Sequence, residues 1–244
     1  MNILLVDAGN TRVKWALADS SAPTGQWLAH GAVLHAELAT LAETWRALDA
    51  GSALVSNVAG PGMRSQLTEL LGPLPVTWFA SQARLAGVTN GYRNPLQLGC
   101  DRFAAAIGAR ALDPGQALVI ATCGTATTID AVSADGAFIG GMILPGLALM
   151  AGALAKNTAQ LPQVTPGTAL PTTFADNTND AIVSGCINAQ AGAIERAVAA
   201  HGAERCIVSG GAAAYIVPAL GIDHIVRDNL VLAGLHAAAG ELAC

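Results

Sequence analysis

Two short apolar runs set the pattern at the start of the chain. Ile3 to Val6 are consecutive β-branched and leucine residues, which reads as a strand buried on both faces. After a turn rich in Gly and Asn, Val13, Trp15 and Leu17 alternate with Lys14, Ala16 and Ala18, the period-two signature of a second strand. The pair predicts a β-hairpin. The same pattern returns later: LLVDAGNTRVKWAL can be laid over LVIATCGTATTIDAV, with Gly9 on Gly124 and Asp7 on Thr122. There a buried run from Leu118 to Ile120 turns at Cys123-Gly124-Thr125 and leaves as an alternating strand through Thr127, Ile129 and Ala131. ADGAFIGGMI, at 134–143, then supplies a turn and a third strand.

A second pair of segments also matches. ALVSNVAGPGMRSQLTELL begins at Ala53 and RCIVSGGAAAYIVPAL at Arg205; each reads as a buried strand, a Val-Ser, a small-residue turn and a helix. The period is too long for a solenoid. It predicts two similar α/β halves. Helices fall between these landmarks. HAELATLAETWRALDA places Leu38, Leu41, Ala42, Trp45 and Leu48 on one face. DRFAAAIGARALD starts at Asp101 and is stopped by Pro114-Gly115, the natural joint between halves, so the expected domains are 1–113 and 114–244. NDAIVSGCINAQAGAIERAVAAHG reads as a long helix with Ile182, Cys186, Ala189, Ile194 and Ala197 near one face and Gly202 after its end.

Composition narrows the class. With 12% charged and 52% apolar residues the chain is globular. Its net charge of -5 and lack of a basic stripe argue against nucleic acid as a partner. Cys100, Cys123, Cys186, Cys206 and Cys244 form no CxxC or Cys/His cluster, so neither a disulfide framework nor a zinc site is expected, and reduced thiols in the cytoplasm are. No basic region precedes the first apolar run, so a signal peptide is not expected. Residues 136–155 carry no charge and are long enough to span a bilayer, but they hold five glycines and Pro145. Strand, turn and buried helix are expected there, not a membrane span. His30, His35, His201, His224 and His236 form no constellation and receive no catalytic role.

The first turn carries the chemistry. It can be read as a hairpin turn that happens to hold an Asp, or as a phosphate-binding turn. In the second reading Gly9 lets the backbone approach an anion, Thr11 donates a hydroxyl, Lys14 adds charge and Asp7 helps hold a metal. Two matching halves favour the second reading, with Thr11, Thr125 and Thr127 gripping a polyphosphate. The Val-Ser-Gly-Gly turn at 208–211 would then approach a base or ribose.

Four motifs in order make the resemblance specific: D-x-G-N-T at Asp7–Thr11, G-x-D-R at Gly99–Arg102, G-T-A-x-T at Gly124–Thr128 and G-G-x-I-x-P-G at Gly140–Gly146. Tyr92-Arg93-Asn94-Pro95 stands just before the second. Over essentially its whole length the chain resembles the type III pantothenate kinases. The resemblance implies an α/β fold of two ribonuclease H-like domains with an ATP cleft between them, as in the acetate and sugar kinase/heat-shock chaperone/actin superfamily. It implies transfer of the γ-phosphoryl group of ATP, with Mg2+, to pantothenate, the first step of coenzyme A synthesis, by a cytoplasmic homodimer. Carried over by motif, Asp7, Ala8, Gly9, Asn10, Thr11, Arg12, Val13 and Lys14 form the first phosphate turn and Thr125 contacts ATP. Asp101 matches the general base. Tyr92, Gly99, Cys100, Asp101, Arg102 and Thr178 match the pantothenate site, and the helix after Thr178 matches the dimer interface. The residue types suit this role: a carboxylate can accept the hydroxyl proton, and an Arg fork suits the pantothenate carboxylate.

One position departs from the pattern. Many members carry Asp two residues before the G-T-A glycine, where it binds K+ or NH4+; here that position is Thr122. A neutral hydroxyl is a weaker ligand for a hard cation than a carboxylate. Two other functions fit the same motifs: a catalytically silent ATP-binding regulatory protein, and a kinase for another small hydroxylated or acyl substrate.

Overall fold

The computed structural model describes residues 1–165, 167 and 170–242. Packing divides them into two compact units: 1–115 with 134–139 and the segment from Asn229, and 116–133 with 140–228. The units are therefore not the consecutive halves 1–113 and 114–244. The chain does cross over next to Pro114-Gly115, but its last helix belongs with the first unit.

In the first unit the expected hairpin is β1 (Asn2–Ala8) and β2 (Arg12–Asp19), paired antiparallel from Asn2↔Asp19 to Ala8↔Val13. β3 (Ala29–Leu34) joins β2, and β4 (Ser52–Asn57) and β5 (Val76–Trp78) continue in parallel from β1, giving the order β3-β2-β1-β4-β5. Leu4, Val6, Ala8, Val13, Trp15, Ala53 and Val55 face one core with Leu38, Leu41, Trp45, Met63 and Leu67. These come from α1 (Leu41–Arg46), α2 (Pro61–Leu71) and the turn before α1.

The sheet's other face is also covered. α3 (Cys100–Leu112) lies against β4, and α7 (Leu230–Leu242) lies against β1, β2 and β4. That is why Ala16 and Ala18 of β2 are as buried as Val13 and Trp15. α3 and α7 cross almost backbone to backbone. A Cβ on Gly234 would overlap the Ala104 carbonyl, and one on Gly108 would lie 2.7 Å from the Gly234 nitrogen. The alanines of α3 leave the room this approach needs.

The second unit repeats the plan. β8 (Leu118–Cys123) and β9 (Ala126–Val132) form the second hairpin; β10 (Ala137–Pro145) follows, and β11 (Arg205–Ser209) and β12 (Ile225–Val226) run parallel to β8. The order β10-β9-β8-β11-β12 repeats that of the first sheet, while the start of β10, Ala137 and Phe138 in the first unit, pairs with β7 (Val88–Asn90), which β6 (Arg84–Leu85) joins. α4 (Leu147–Asn157), α5 (Thr178–His201) and α6 (Ala213–Ile216) cover Val119, Ala121, Cys123, Ile129, Cys206 and Val208. Residues 136–155 are thus strand, turn and helix, and no helix among the described residues is long and apolar enough to cross a membrane.

Two helix expectations need correction, and one helix had no expectation. The helix expected over 35–50 is a 3-10 turn at His35–Thr40 followed by only six residues of α1. Glu37 folds back to accept the Leu34 N–H at 3.1 Å, and this local closure starts the tighter turn. In α5, Gln190 rather than Ala189 faces the core, because Gln190 bonds Thr127. α7 was not expected at all: it is apolar nearly all round, so no stripe marks it.

Candidate active site

Strand alternation sends Leu4, Val6 and Ala8 to the α1/α2 core and leaves Ile3, Leu5 and Asp7 on the opposite face, where α7 packs against β1. β4 does the same with Ala53 and Val55 against Leu54 and Ser56. In register, Asp7 lies beside Ser56 on β4 and opposite Lys14 on β2. The first turn of α3 meets them. Cys100 Sγ is 3.4 Å from Ser56 Oγ and donates to the Asn57 carbonyl at 3.7 Å. Asp101 follows it, with Oδ1 accepting the Arg102 N–H at 2.8 Å.

Both carboxyls are perturbed. Burial pushes Asp7 up to about 7; Lys14 draws it down and Asp101 pushes it further up. Burial also raises Asp101, against the Arg102 N–H and charge. A Cβ on Gly99 would lie 2.7 Å from Asp101 Oδ1, so a side chain there would displace that carboxylate.

Arg102 is only 7% exposed. Its Nη1 donates to the Tyr92 hydroxyl at 2.8 Å, and its guanidinium lies 5.7 Å from the Tyr92 ring and 5.8 Å from the Phe138 ring. Tyr92 packs edge-on against Phe138, with centroids 5.9 Å apart. Asn90 of β7 (Val88–Asn90) fixes the loop, accepting the Tyr92 N–H at 3.0 Å and donating to the Pro95 carbonyl at 3.1 Å. The result is a held cationic fork on an aromatic platform, suited to a carboxylate.

The first unit therefore brings together Asp7, Lys14, Tyr92, Gly99, Cys100, Asp101 and Arg102. In the turn, Gly9 N–H donates to the Arg12 carbonyl at 3.1 Å, and Asn10, Thr11 and Arg12 are exposed. Ala8 and Val13 are fully buried, so they can offer a ligand only backbone. Ser56 was not expected at the site. Its signal was the repeated Val-Ser at 55–56 and 208–209.

Thr122, Thr125 and Thr178 belong to the second unit. Thr122 occupies the place of Asp7, paired across to Thr128 and beside Ser209. Thr125 is exposed at the turn, and Thr178 is exposed as the first residue of α5. Thr127 does not face a ligand: it is fully buried and donates to Gln190 Oε1 at 2.8 Å. Gly210 has a structural reason to be glycine. Its φ is +95°, and a Cβ would overlap the Cys123 carbonyl, whereas Gly211 faces open space. Gly146 likewise lies against the Gly124 and Thr125 carbonyls, so two glycines hem in this turn.

Cys123 is fully buried, and burial pushes its thiol up to about 11, which fits packing and not reactivity. Cys244 lies outside the described residues. A depression of about 410 Å³ at Leu4, Trp45 and Leu71 lies toward the other end of β1 and holds none of the motif residues.

Among solved structures, the chain resembles the activator of the 2-hydroxyisocaproyl-CoA dehydratase from Clostridium difficile, at TM-score 0.55 and 13% identity over 98% of this chain and 93% of that one. It also resembles the ethanolamine utilization protein EutJ from Carboxydothermus hydrogenoformans, at TM-score 0.57 and 15% identity over 98% and 89%. These likenesses show the fold class, an actin-like α/β fold. The family model for type III pantothenate kinase matches residues 3–200. The type III pantothenate kinase of Janthinobacterium sp. (strain Marseille) is 60% identical over 97% of each chain, and that of Herminiimonas arsenicoxydans 56% over 97% of each. The chain belongs to the type III pantothenate kinase family.

Proposed function

We propose that the chain transfers the γ-phosphoryl group of ATP to the primary hydroxyl of pantothenate, with Asp101 as general base. The observation that carries this reading is the meeting of Asp7, Lys14, Asp101 and the Tyr92-held Arg102 at the start of α3. Asp101 takes the hydroxyl proton as the oxygen attacks the γ-phosphorus, and ADP leaves with the bridging electrons. Arg102 pairs with the pantothenate carboxylate. Residues 7–14 contact the phosphates, and Thr125 is a further ATP contact by its motif.

Asp7 fits a magnesium ion. It is a carboxylate raised to about 7 by burial, so a neighbouring dication would favour its charged form. Among the described residues no three acidic, His or Cys side chains cluster, and magnesium needs only one or two carboxylates plus substrate phosphates. When bound, the ion neutralises charge on the β- and γ-phosphates.

The monovalent cation is a separate matter. Thr122 and its neighbours Thr128 and Ser209 offer neutral hydroxyls where many members have a carboxylate. Without that charge, K+ or NH4+ should bind more weakly. The test is pantothenate-dependent ADP formation, titrated with each cation at constant ionic strength. Turnover is expected, with activation absent or only at high cation, and Thr122→Asp should sharpen the response. Strong activation at low cation would overturn the cation reading. ATP binding without pantothenate turnover would favour the silent ATP-binding protein, and turnover of a different hydroxylated or acyl acid the other kinase.

A homodimer is also proposed. Ala181, Gly185, Ala189 and Gly192 form an exposed small-residue face on α5, and Met142, Ile143, Leu149 and Leu154 are exposed in the same unit. In this reading Thr178 serves a pantothenate site at the subunit boundary. Sedimentation should give a dimer; a fully active monomer would refute it. The four described cysteines are free, which supports a reducing, cytoplasmic setting.

A further inference from the structure

We propose that His35 is a positioning residue for ATP, because it draws the carbonyls of the first phosphate turn away from the anion. The inference rests on the assignment of residues 7–14 to the ATP phosphates. Between the paired residues Ala8 and Val13 the turn has four carbonyls, at Gly9, Asn10, Thr11 and Arg12. A carbonyl oxygen pointing at a phosphate repels it, whereas an N–H attracts it.

Three of the four are engaged elsewhere. The Arg12 carbonyl accepts the Gly9 N–H at 3.1 Å, the Thr11 carbonyl accepts the His35 N–H at 3.4 Å, and the Gly9 carbonyl lies 2.9 Å from His35 Nε2. One residue thus holds two of them. A carbonyl only accepts, so Nε2 carries the proton in this contact.

The chain delivers His35 there by a specific route. β3 pairs with β2 as far as Leu34↔Arg12. Glu37 then accepts the Leu34 N–H, and the 3-10 turn swings the next residue over the hairpin turn. Leu38, 4% exposed, fixes that turn in the core. The 3-10 turn thus starts with its first backbone N–H and its first ring on one hairpin turn.

The test compares His35→Ala, His35→Gln and Lys14→Ala with the parent protein, by ATP titration calorimetry, steady-state kinetics and thermal unfolding. His35→Ala loses the ring bond and keeps the backbone one, so Kd and KM for ATP should rise roughly five- to tenfold, the weight of one hydrogen bond. kcat, the KM for pantothenate and the unfolding midpoint should hardly move. His35→Gln, whose amide can donate from nearly the same place, should recover most of the loss. Unchanged ATP affinity in His35→Ala, or both KM values and the unfolding midpoint moving together, would overturn the role of His35. If Lys14→Ala weakens ATP binding and His35→Ala does not, this proposal alone fails. If Lys14→Ala also leaves ATP binding intact, the phosphate turn itself has been misassigned.

Discussion

Asp101→Asn is expected to lower the turnover of pantothenate by about a hundredfold or more, the usual weight of a general base, while ATP still binds. The substitution keeps the shape of the side chain and an oxygen that can accept the Arg102 N–H, now made at 2.8 Å. It removes the negative charge, which also eases the pressure on Asp7, and with it the capacity to take a proton. Asp101 lies outside the phosphate turn, so its loss should not reach nucleotide affinity. Burial raises its pKa, and the base works as the carboxylate. Activity of the parent should therefore fall as pH drops through a value above the ordinary carboxylate range. The measurements are kcat/KM for pantothenate from pH 5 to 9 and the Kd for ATP in both proteins. Near-normal turnover in the variant would remove Asp101 from the role. Lost ATP binding would make the residue structural instead.

Much of this site was legible because its parts are local. The two hairpins announce themselves by apolar runs broken at Gly9 and Gly124, and the repeated sheet order follows from the matched Val-Ser strands. Asp101 and Arg102 were found by motif, and their neighbourhood needed only the start of one helix.

The rest depended on partners distant in sequence. Nothing local says that α7 returns to α3, because the contact is made by Gly108 and Gly234, which have no side chains to pattern. Thr127 looked like a phosphate ligand until its register against Cys123 turned it inward to Gln190. His35 looked isolated because its partners, the Gly9 and Thr11 carbonyls, belong to the backbone and leave no mark in a side-chain motif.

Asp7→Asn should abolish activity and yet make the protein more stable above neutral pH. The folded protein holds this carboxyl at about 7, against an ordinary value of 3.8, chiefly because burial penalises its charge. Between those two values the folded state keeps a proton that the unfolded chain has released, so stability falls as pH rises through the window. The difference corresponds to at most ~4 kcal/mol at pH 8, and the partial exposure of Asp7 to solvent leaves roughly half of that. Asn never ionises and escapes the penalty. Below about pH 4 both proteins are neutral at this position and should unfold alike. The stability gap should open as pH rises toward 7 and stay level above it. Unfolding in magnesium-free buffer at pH 4, 6 and 8 measures this directly; an Asn variant no more stable than the parent at pH 8 would refute it. Adding magnesium and ATP should then reverse the order, because the ion and phosphates reward the charged carboxylate and stabilise only the state that binds them. A carboxylate that costs stability in the empty protein is what a cation site requires: the charge is held, poorly compensated, until the ligand brings its partner.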